Sequence, residues 1–153
     1  MTRAFKVNFS YPKHGWITVE MFSQDQQSLF PASYTPDNSL YELLDALIAL
    51  LNGQYKAVVR WTTEPVRYEF IFAQNDKKLT LDVVRLSNLP INQQRTELVF
   101  KANSSCISMV LAFWRALRHL ESYENFAQHW GRSFPKREMR LLEKSILEVR
   151  RRA

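Results

Sequence analysis

The sequence predicts an α+β fold: an antiparallel sheet of five or six strands with three helices packed mainly on one face. Three patterns support this. Two alternating runs open the chain, a leucine-rich helical segment precedes three more alternating runs with short links, and the last third has helical periodicity. Closely linked consecutive strands pair antiparallel, and helices segregated from them pack on one side of the sheet.

The first predicted element is a hairpin. Apolar and polar side chains alternate over residues 4–11, and residues 16–22 have the β-branched and aromatic composition of a strand. The turn between them contains Pro12 and Gly15. Two runs of this kind separated by a short turn are typical of a β-hairpin.

Two polar segments are predicted as long loops. Residues 23–38 contain Pro31 and Pro36, and residues 87–95 are polar as well. Loops of this length inside a compact domain are uncommon and are either functional or mobile, and the sequence does not decide between these two interpretations.

A helix is predicted to begin near residue 39. Asp37, Asn38 and Ser39 offer side-chain oxygens for its N-cap, and Gly53 supplies the stop signal. The leucines of this segment cover more than half of the helical circumference. Such a helix packs on a broad surface, most simply a sheet.

Three closely linked strands are predicted next, at residues 55–62, 66–73 and 78–86, with a further strand at 96–102 that includes Leu98 and Phe100. The short links are of hairpin length, so we expect an antiparallel meander. Its alternation gives one apolar face and one mixed face. The mixed face carries three candidate binding residues: Arg60, Arg67 and Glu69.

The rest of the chain is predicted to be helical. A segment capped by residues 103–105 runs to about Ser122 and is apolar almost all round, which indicates a central helix. An aromatic connector spans residues 123–134, and Pro135 opens a basic helix over about residues 135–151. With 153 residues and 46% apolar composition, residues 1–153 are predicted to form a single α+β domain.

The apolar phase of each element predicts a set of core residues. We expect near-complete burial of Leu44, Leu47, Phe70, Leu81, Leu111 and Trp114.

The net charge of +6 lies mostly in the predicted C-terminal helix. Residues 132–153 hold eight Lys or Arg and three Glu, whereas residues 1–131 hold 13 Lys or Arg and 12 Asp or Glu. Four basic residues recur there at helical spacing: Arg137, Arg140, Lys144 and Arg151. Such a stripe either contacts phosphates of a nucleic acid or is a solvated face that complements the helix dipole, and both interpretations stay open.

The common catalytic and metal-binding motifs are absent from the sequence. With three isolated glycines, no P-loop, GxGxxG or GxSxG motif can be built. The three histidines lack the spacing of metal ligands, and the lone Cys106 is interpreted as core filler. The carboxylates Glu64 and Glu69 beside Arg67 fit cross-strand ion pairs better than acid–base catalysis. We therefore expect no catalytic residues, no metal and no cofactor.

An enzymatic alternative is retained all the same. In it, a pocket for a small molecule is lined by Trp61, Tyr68, Arg85 and His119.

The sequence predicts a cytoplasmic protein without a membrane partner. The first 22 residues alternate instead of forming a signal peptide. The longest apolar runs, at residues 43–51 and 106–114, are shorter than the ~20 residues of a membrane-spanning helix.

The order of elements over residues 39–147 resembles that of small uncharacterised bacterial α+β proteins, some of which act as immunity or accessory proteins of toxin systems. The resemblance is carried by Gly53, the segment 61–65 (Trp-Thr-Thr-Glu-Pro), the turn 75–78 (Asn-Asp-Lys-Lys) and Trp130 before Phe134-Pro135. It implies a binding role and assigns no functional residue.

Together these patterns favour non-catalytic binding of another protein. The first alternative is nucleic-acid binding through the basic helix, and the second is the pocket near Trp61. The sequence makes no prediction about the partner's identity, the pathway or the oligomeric state.

Overall fold

The computed structural model describes residues 4–63, 66–76, 78–87 and 95–152. Their fold is α+β with antiparallel sheets, which confirms the predicted class. In chain order the elements are β1 (Lys6–Phe9), β2 (Trp16–Ser23), β3 (Gln26–Ser33), α1 (Ser39–Leu51), β4 (Lys56–Thr62), β5 (Arg67–Gln74), β6 (Leu79–Ser87), β7 (Arg95–Ser104), α2 (Cys106–Glu121), α3 (Phe126–Trp130) and α4 (Lys136–Arg152).

The prediction of one sheet with five or six strands is wrong. The strands form a three-stranded sheet, in the order β1-β2-β3, and a four-stranded sheet, in the order β4-β5-β6-β7. The split arises because β3 lies against the inner face of the second sheet instead of extending its ladder. There the ring of Phe30 contacts the rings of Tyr68, Phe70 and Phe100.

The predicted loop at residues 23–38 is also wrong, because it contains β3. Phe30 and Ala32 are buried and alternate with more exposed neighbours, as a half-buried strand requires. Pro31 is tolerated because β3 is an edge strand, where a missing N–H costs no ladder hydrogen bond. Of the second predicted loop, residues 88–94 lie outside the described residues.

Four helices, not three, occur in the described part of the chain, because the predicted aromatic connector contains the short α3. The predicted helix caps are confirmed. The side chain of Asn38 accepts a hydrogen bond from the backbone N–H of Tyr41 (3.2 Å), and Ser105 caps α2 through the N–H of Ser108 (3.2 Å). The last helix occupies Lys136–Arg152, within a residue of its predicted bounds.

A continuous cluster of buried side chains connects both sheets with the helices. The four predicted core residues on α1, β5 and β6 are fully buried: Leu44, Leu47, Phe70 and Leu81. The prediction for Leu111 and Trp114 is wrong, because both are only half-buried. They lie on the side of α2 that borders a cleft beside α4, while Phe113 fills the core.

Candidate functional site

The outer sheet face is the side of β4–β7 that points away from the core. Among the described residues, the side chains on this face include Lys56, Val58, Arg60, Arg67, Glu69, Ile71, Asp82, Val84, Leu98 and Lys101. All of them are exposed or half-buried. Alternation in the sequence predicted this placement for Arg60, Arg67 and Glu69, which lie on one side of two neighbouring strands.

An apolar band crosses this face: Val58, Ile71, Val84 and Leu98. Val58 is paired with Ile71, and Val84 with Leu98, while Ile71 and Val84 are diagonal neighbours on adjacent strands. Val58 and Leu98 at the two ends are 45% and 53% exposed. Because the open face of an antiparallel sheet normally carries polar side chains, a continuous apolar band there is unusual.

A β-bulge brings Leu98 into the band. The register of β6 and β7 shifts between Val83 and Val84, so that Val83 is opposite Phe100 and Val84 is opposite Leu98. The extra residue, Val99, lets Phe100 point into the core while Leu98 remains exposed. Bulges commonly re-aim a side chain in this way.

The charged residues around the band are largely paired with one another. The guanidinium of Arg67 lies 3.4 Å from the carboxylate of Glu69, and the ammonium of Lys101 lies 3.4 Å from that of Asp82. Exposed pairs of this kind contribute only about 0–1 kcal/mol to stability. Their consequence here is that opposite charges border the band without a large field of either sign.

Arg60 has a structural role in addition to its place on the face. Its guanidinium lies 2.7 Å from Glu42 and 3.0 Å from Asp37, and Glu42 also accepts a hydrogen bond from the backbone N–H of Arg60 (3.0 Å). The hydrogen bond and charge of Glu42 raise the pKa of Arg60 above its ordinary value. These contacts attach the start of α1 to β4.

The four basic residues predicted to form a stripe on α4 differ in whether they form ion pairs. Arg140 forms ion pairs with Glu121 and with Glu143, the latter at 3.2 Å. The other three predicted residues are exposed and form no ion pair with any described residue: Arg137, Lys144 and Arg151. The opposite side of α4 is buried through Met139, Leu142 and Ile146.

The structure does not bring together all four residues that were predicted to line a small-molecule pocket. The register places Trp61, Tyr68 and Arg85 side by side on β4, β5 and β6. The ring of Phe30 lies 5.0 Å from that of Tyr68, and the carbonyl of Phe30 accepts a hydrogen bond from the indole of Trp61, so Phe30 packs against these two residues. His119 lies on α2 instead, beside β1.

The described titratable residues considered for chemistry lie on different elements. Glu69 lies on the outer sheet face, Cys106 begins α2, and Glu64 is outside the described residues. Burial raises the pKa of the Cys106 thiol, which keeps it protonated at neutral pH and weakens it as a nucleophile. Across the ranges that the structure describes, no three His, Cys, Asp or Glu side chains are placed to hold a metal ion.

Sequence reasoning missed a cleft between α2 and α4. A cavity of about 300 Å³ is lined there by Leu111, Trp114 and Leu147 among others. The indole Nε1–H of Trp114 donates to Glu143 (3.1 Å), and the guanidinium of Arg118 lies 5.5 Å from the ring centre. The nearly uniform apolarity of α2 concealed which of its sides is open.

None of the helices in the described ranges is long and apolar enough to cross a membrane. Comparison of the chain with protein-family models, with curated proteins and with solved structures finds no match in any of the three. The resemblance to immunity and accessory proteins therefore stays a prediction.

Proposed function

We propose that this protein is a non-catalytic binding domain for another protein, and that it binds this partner through the outer sheet face. The observation that carries the proposal is the exposed apolar band, with Val58 and Leu98 at its two ends. Burial of apolar surface contributes about 25 cal/mol per Å² and is the main driving force of protein association.

The charges around the band favour a protein partner. Protein interfaces have an apolar centre depleted of charge and a polar rim, and the band bordered by paired ions has this arrangement. A nucleic acid would instead require unpaired cations facing its phosphates. Two cations of this face, Arg67 and Lys101, already have carboxylate partners. An immunity-like or accessory role is the specific form of this function that the resemblance of residues 39–147 suggests.

The test is capture of a partner by the native protein from a nuclease-treated extract of the cells that make it, followed by mass spectrometry. Leu98→Lys places a charge in the apolar band and should reduce capture at least tenfold. Leu29→Lys is the matched control, because Leu29 is 59% exposed on a different sheet.

Both substitutions are at exposed positions, where changes in stability are usually within about 0.5 kcal/mol. Thermal unfolding checks that both variants remain folded. Equal capture by the two variants and the wild type would contradict the proposed face.

A second candidate function, nucleic-acid binding through α4, is favoured by one observation. Arg137, Lys144 and Arg151 are exposed and have no ion-pair partner among the described residues. Cations in this state release counterions from nucleic acid when they contact its phosphates. Nuclease treatment in the capture experiment separates this function from protein binding.

A further inference from the structure

Each edge of the four-stranded sheet is contacted at one residue by a side chain of another element. On β4, the backbone N–H of Arg60 donates to Glu42 (3.0 Å) and its carbonyl accepts from the hydroxyl of Ser39 (2.7 Å). On β7, the side-chain amide of Gln26 accepts from the N–H of Lys101 (3.2 Å) and donates to its carbonyl (2.9 Å). Such contacts occupy the groups with which a further strand would pair.

The three-stranded sheet has one interrupted edge and one open edge. On β3, Pro31 lacks an N–H and interrupts the pattern that an added strand needs. On the other side β1 is the outermost strand and pairs only with β2. Each of these three edges is thus contacted or interrupted at one position, whereas no side chain of the described residues forms a hydrogen bond with the outward backbone groups of β1.

The register shows which backbone groups of β1 point outward. Ser10 donates its backbone N–H to the carbonyl of Thr18 (2.8 Å) on β2. Because backbone groups of an antiparallel strand alternate in direction, those of Asn8 and Lys6 also point towards β2. The N–H and C=O groups of Val7 and Phe9 therefore point away from β2. Among the described residues, no backbone group outside the strands forms a hydrogen bond with these N–H and C=O groups. Their side chains are buried in the core, which fixes this edge in place.

A groove runs along this edge, between β1 and α2. It has a volume of about 490 Å³ and is lined by Phe5–Phe9 on one side. Its other wall is one side of α2, formed by Ala112, Arg115, Ala116 and His119. The small side chains of the two alanines keep this wall low. An adjoining cavity of about 570 Å³ shares Phe5, Ala112 and Arg115 and extends the groove.

The groove is basic. The cationic side chains of Lys6 and Arg115 line it, and no Asp or Glu is among the described residues that line either cavity. A cationic channel beside open backbone groups complements an extended segment that carries carboxylates.

We propose that the groove between β1 and α2 binds an extended acidic peptide segment, which adds to β1 as a further strand. Main-chain hydrogen bonds to Val7 and Phe9 supply affinity, and contacts of carboxylates with Lys6 and Arg115 supply selectivity. A second copy of this chain fits less well, because pairing of two β1 edges would bring the same cations together. The site is distinct from the outer sheet face and does not rest on it.

The probe for this proposal is a fluorescein-labelled short peptide in which valine and glutamate alternate, and the control probe has lysine in place of glutamate. Binding is measured by fluorescence polarisation and located by amide chemical shifts of the ¹⁵N-labelled full chain. We expect saturable binding of the acidic peptide, with the largest shifts at Val7 and Phe9, and at least tenfold weaker binding of the basic peptide.

Three variants test the charge contacts. Arg115→Glu and, independently, Lys6→Glu should each weaken binding of the acidic peptide at least tenfold. Arg118→Glu is the matched control, since it makes the same charge change on α2 outside the residues that line the groove, and it should change binding less than twofold. Circular dichroism confirms the fold of each variant.

Absence of saturable binding at millimolar peptide would overturn the proposal. So would shifts confined to the outer sheet face or α4, equal binding of the two peptides, or a dimer in size-exclusion chromatography whose formation occupies β1. Because the outer sheet face is tested by capture with Leu98→Lys, failure of one proposal is distinguishable from failure of the other.

Discussion

The indole nitrogen of Trp61 donates a hydrogen bond of 2.7 Å to the backbone carbonyl oxygen of Phe30. This bond joins β4 of the four-stranded sheet to β3 of the three-stranded sheet in the buried core. The ring of Trp61 also stacks on that of Phe70, with 5.2 Å between their centres. The two sheets are therefore connected by a directional contact as well as by apolar packing, which fixes how β3 lies against the second sheet.

Trp61→Phe should lower the free energy of unfolding by about 0.5–1.5 kcal/mol beyond the loss of packing, because it removes one of the donors to the carbonyl of Phe30. Trp130→Phe is the matched control. Trp130 is also fully buried, but its indole N–H has no partner among the described residues, so Trp130→Phe should cost only the packing of the larger ring. Urea unfolding measures both. Equal losses in the two variants would show that the bond to Phe30 adds nothing beyond packing.

Gly131→Ala should destabilise the protein more than Gly53→Ala. Both glycines have positive φ, at 103° and 98°, where a Cβ costs about 1–2 kcal/mol. A Cβ at Gly131 would also lie 2.7 Å from the ring of Tyr34, whereas nothing lies within 4 Å of one at Gly53. Thermal unfolding compares the two variants.

A double-mutant cycle separates the ring contact from the backbone cost. In a Tyr34→Ala background, the Gly131→Ala substitution should cost about as much as Gly53→Ala does. An unchanged cost of Gly131→Ala in that background would mean that the ring of Tyr34 is not the cause.

Cys106 should make stability fall as pH rises above the unfolded thiol pKa of about 8.5. Burial raises the pKa of Cys106 in the folded protein, so above that pH the unfolded state releases a proton that the folded state retains. The stability of the wild type relative to Cys106→Ala should therefore decrease between pH 8 and pH 10. Urea unfolding across this range measures the difference, and a constant difference would contradict a raised pKa.

Binding of duplex DNA through α4 should be weak and strongly dependent on salt. Three phosphate contacts from Arg137, Lys144 and Arg151 would give a log–log slope of about −2.7 with salt concentration. Arg137→Gln with Lys144→Gln should reduce the magnitude of this slope by about 1.8. Fluorescence polarisation with labelled duplex measures it. Micromolar or tighter binding at physiological salt, lost in the double variant, would favour the nucleic-acid function over the proposed one.

The sequence predicted those parts of the fold that depend on local signals. Alternation located β1, β2 and the meander, and Asn38 and Gly53 marked the ends of α1, because caps and strand periodicity act over a few residues. It missed β3, whose apolar alternation is short and contains Pro31. That segment is a strand because it pairs with β2 along its whole length and because Phe30 packs on the second sheet, and the polar residues 24–27 concealed the pairing.

The residues of the candidate sites were likewise predictable only where local alternation determines their position. Alternation placed Arg60, Arg67 and Glu69 on one face of the meander. It did not predict the bulge at Val99, which puts Leu98 and Phe100 on opposite faces of β7 although their spacing suggests a common one. The groove between β1 and α2 was equally hidden, because its two walls are about a hundred residues apart in the chain.

Hydroxyl-radical footprinting of the complex with the captured protein tests the proposed binding face most directly. If the outer sheet face is the interface, oxidation of Val58 and Leu98 should fall at least severalfold on binding. Oxidation of Leu29, on the other sheet, and of Leu147, on α4, should stay the same, since both are exposed outside the face. Unchanged oxidation of Val58 and Leu98 together with protection of Leu147 would contradict the proposed face and place the partner on the helices.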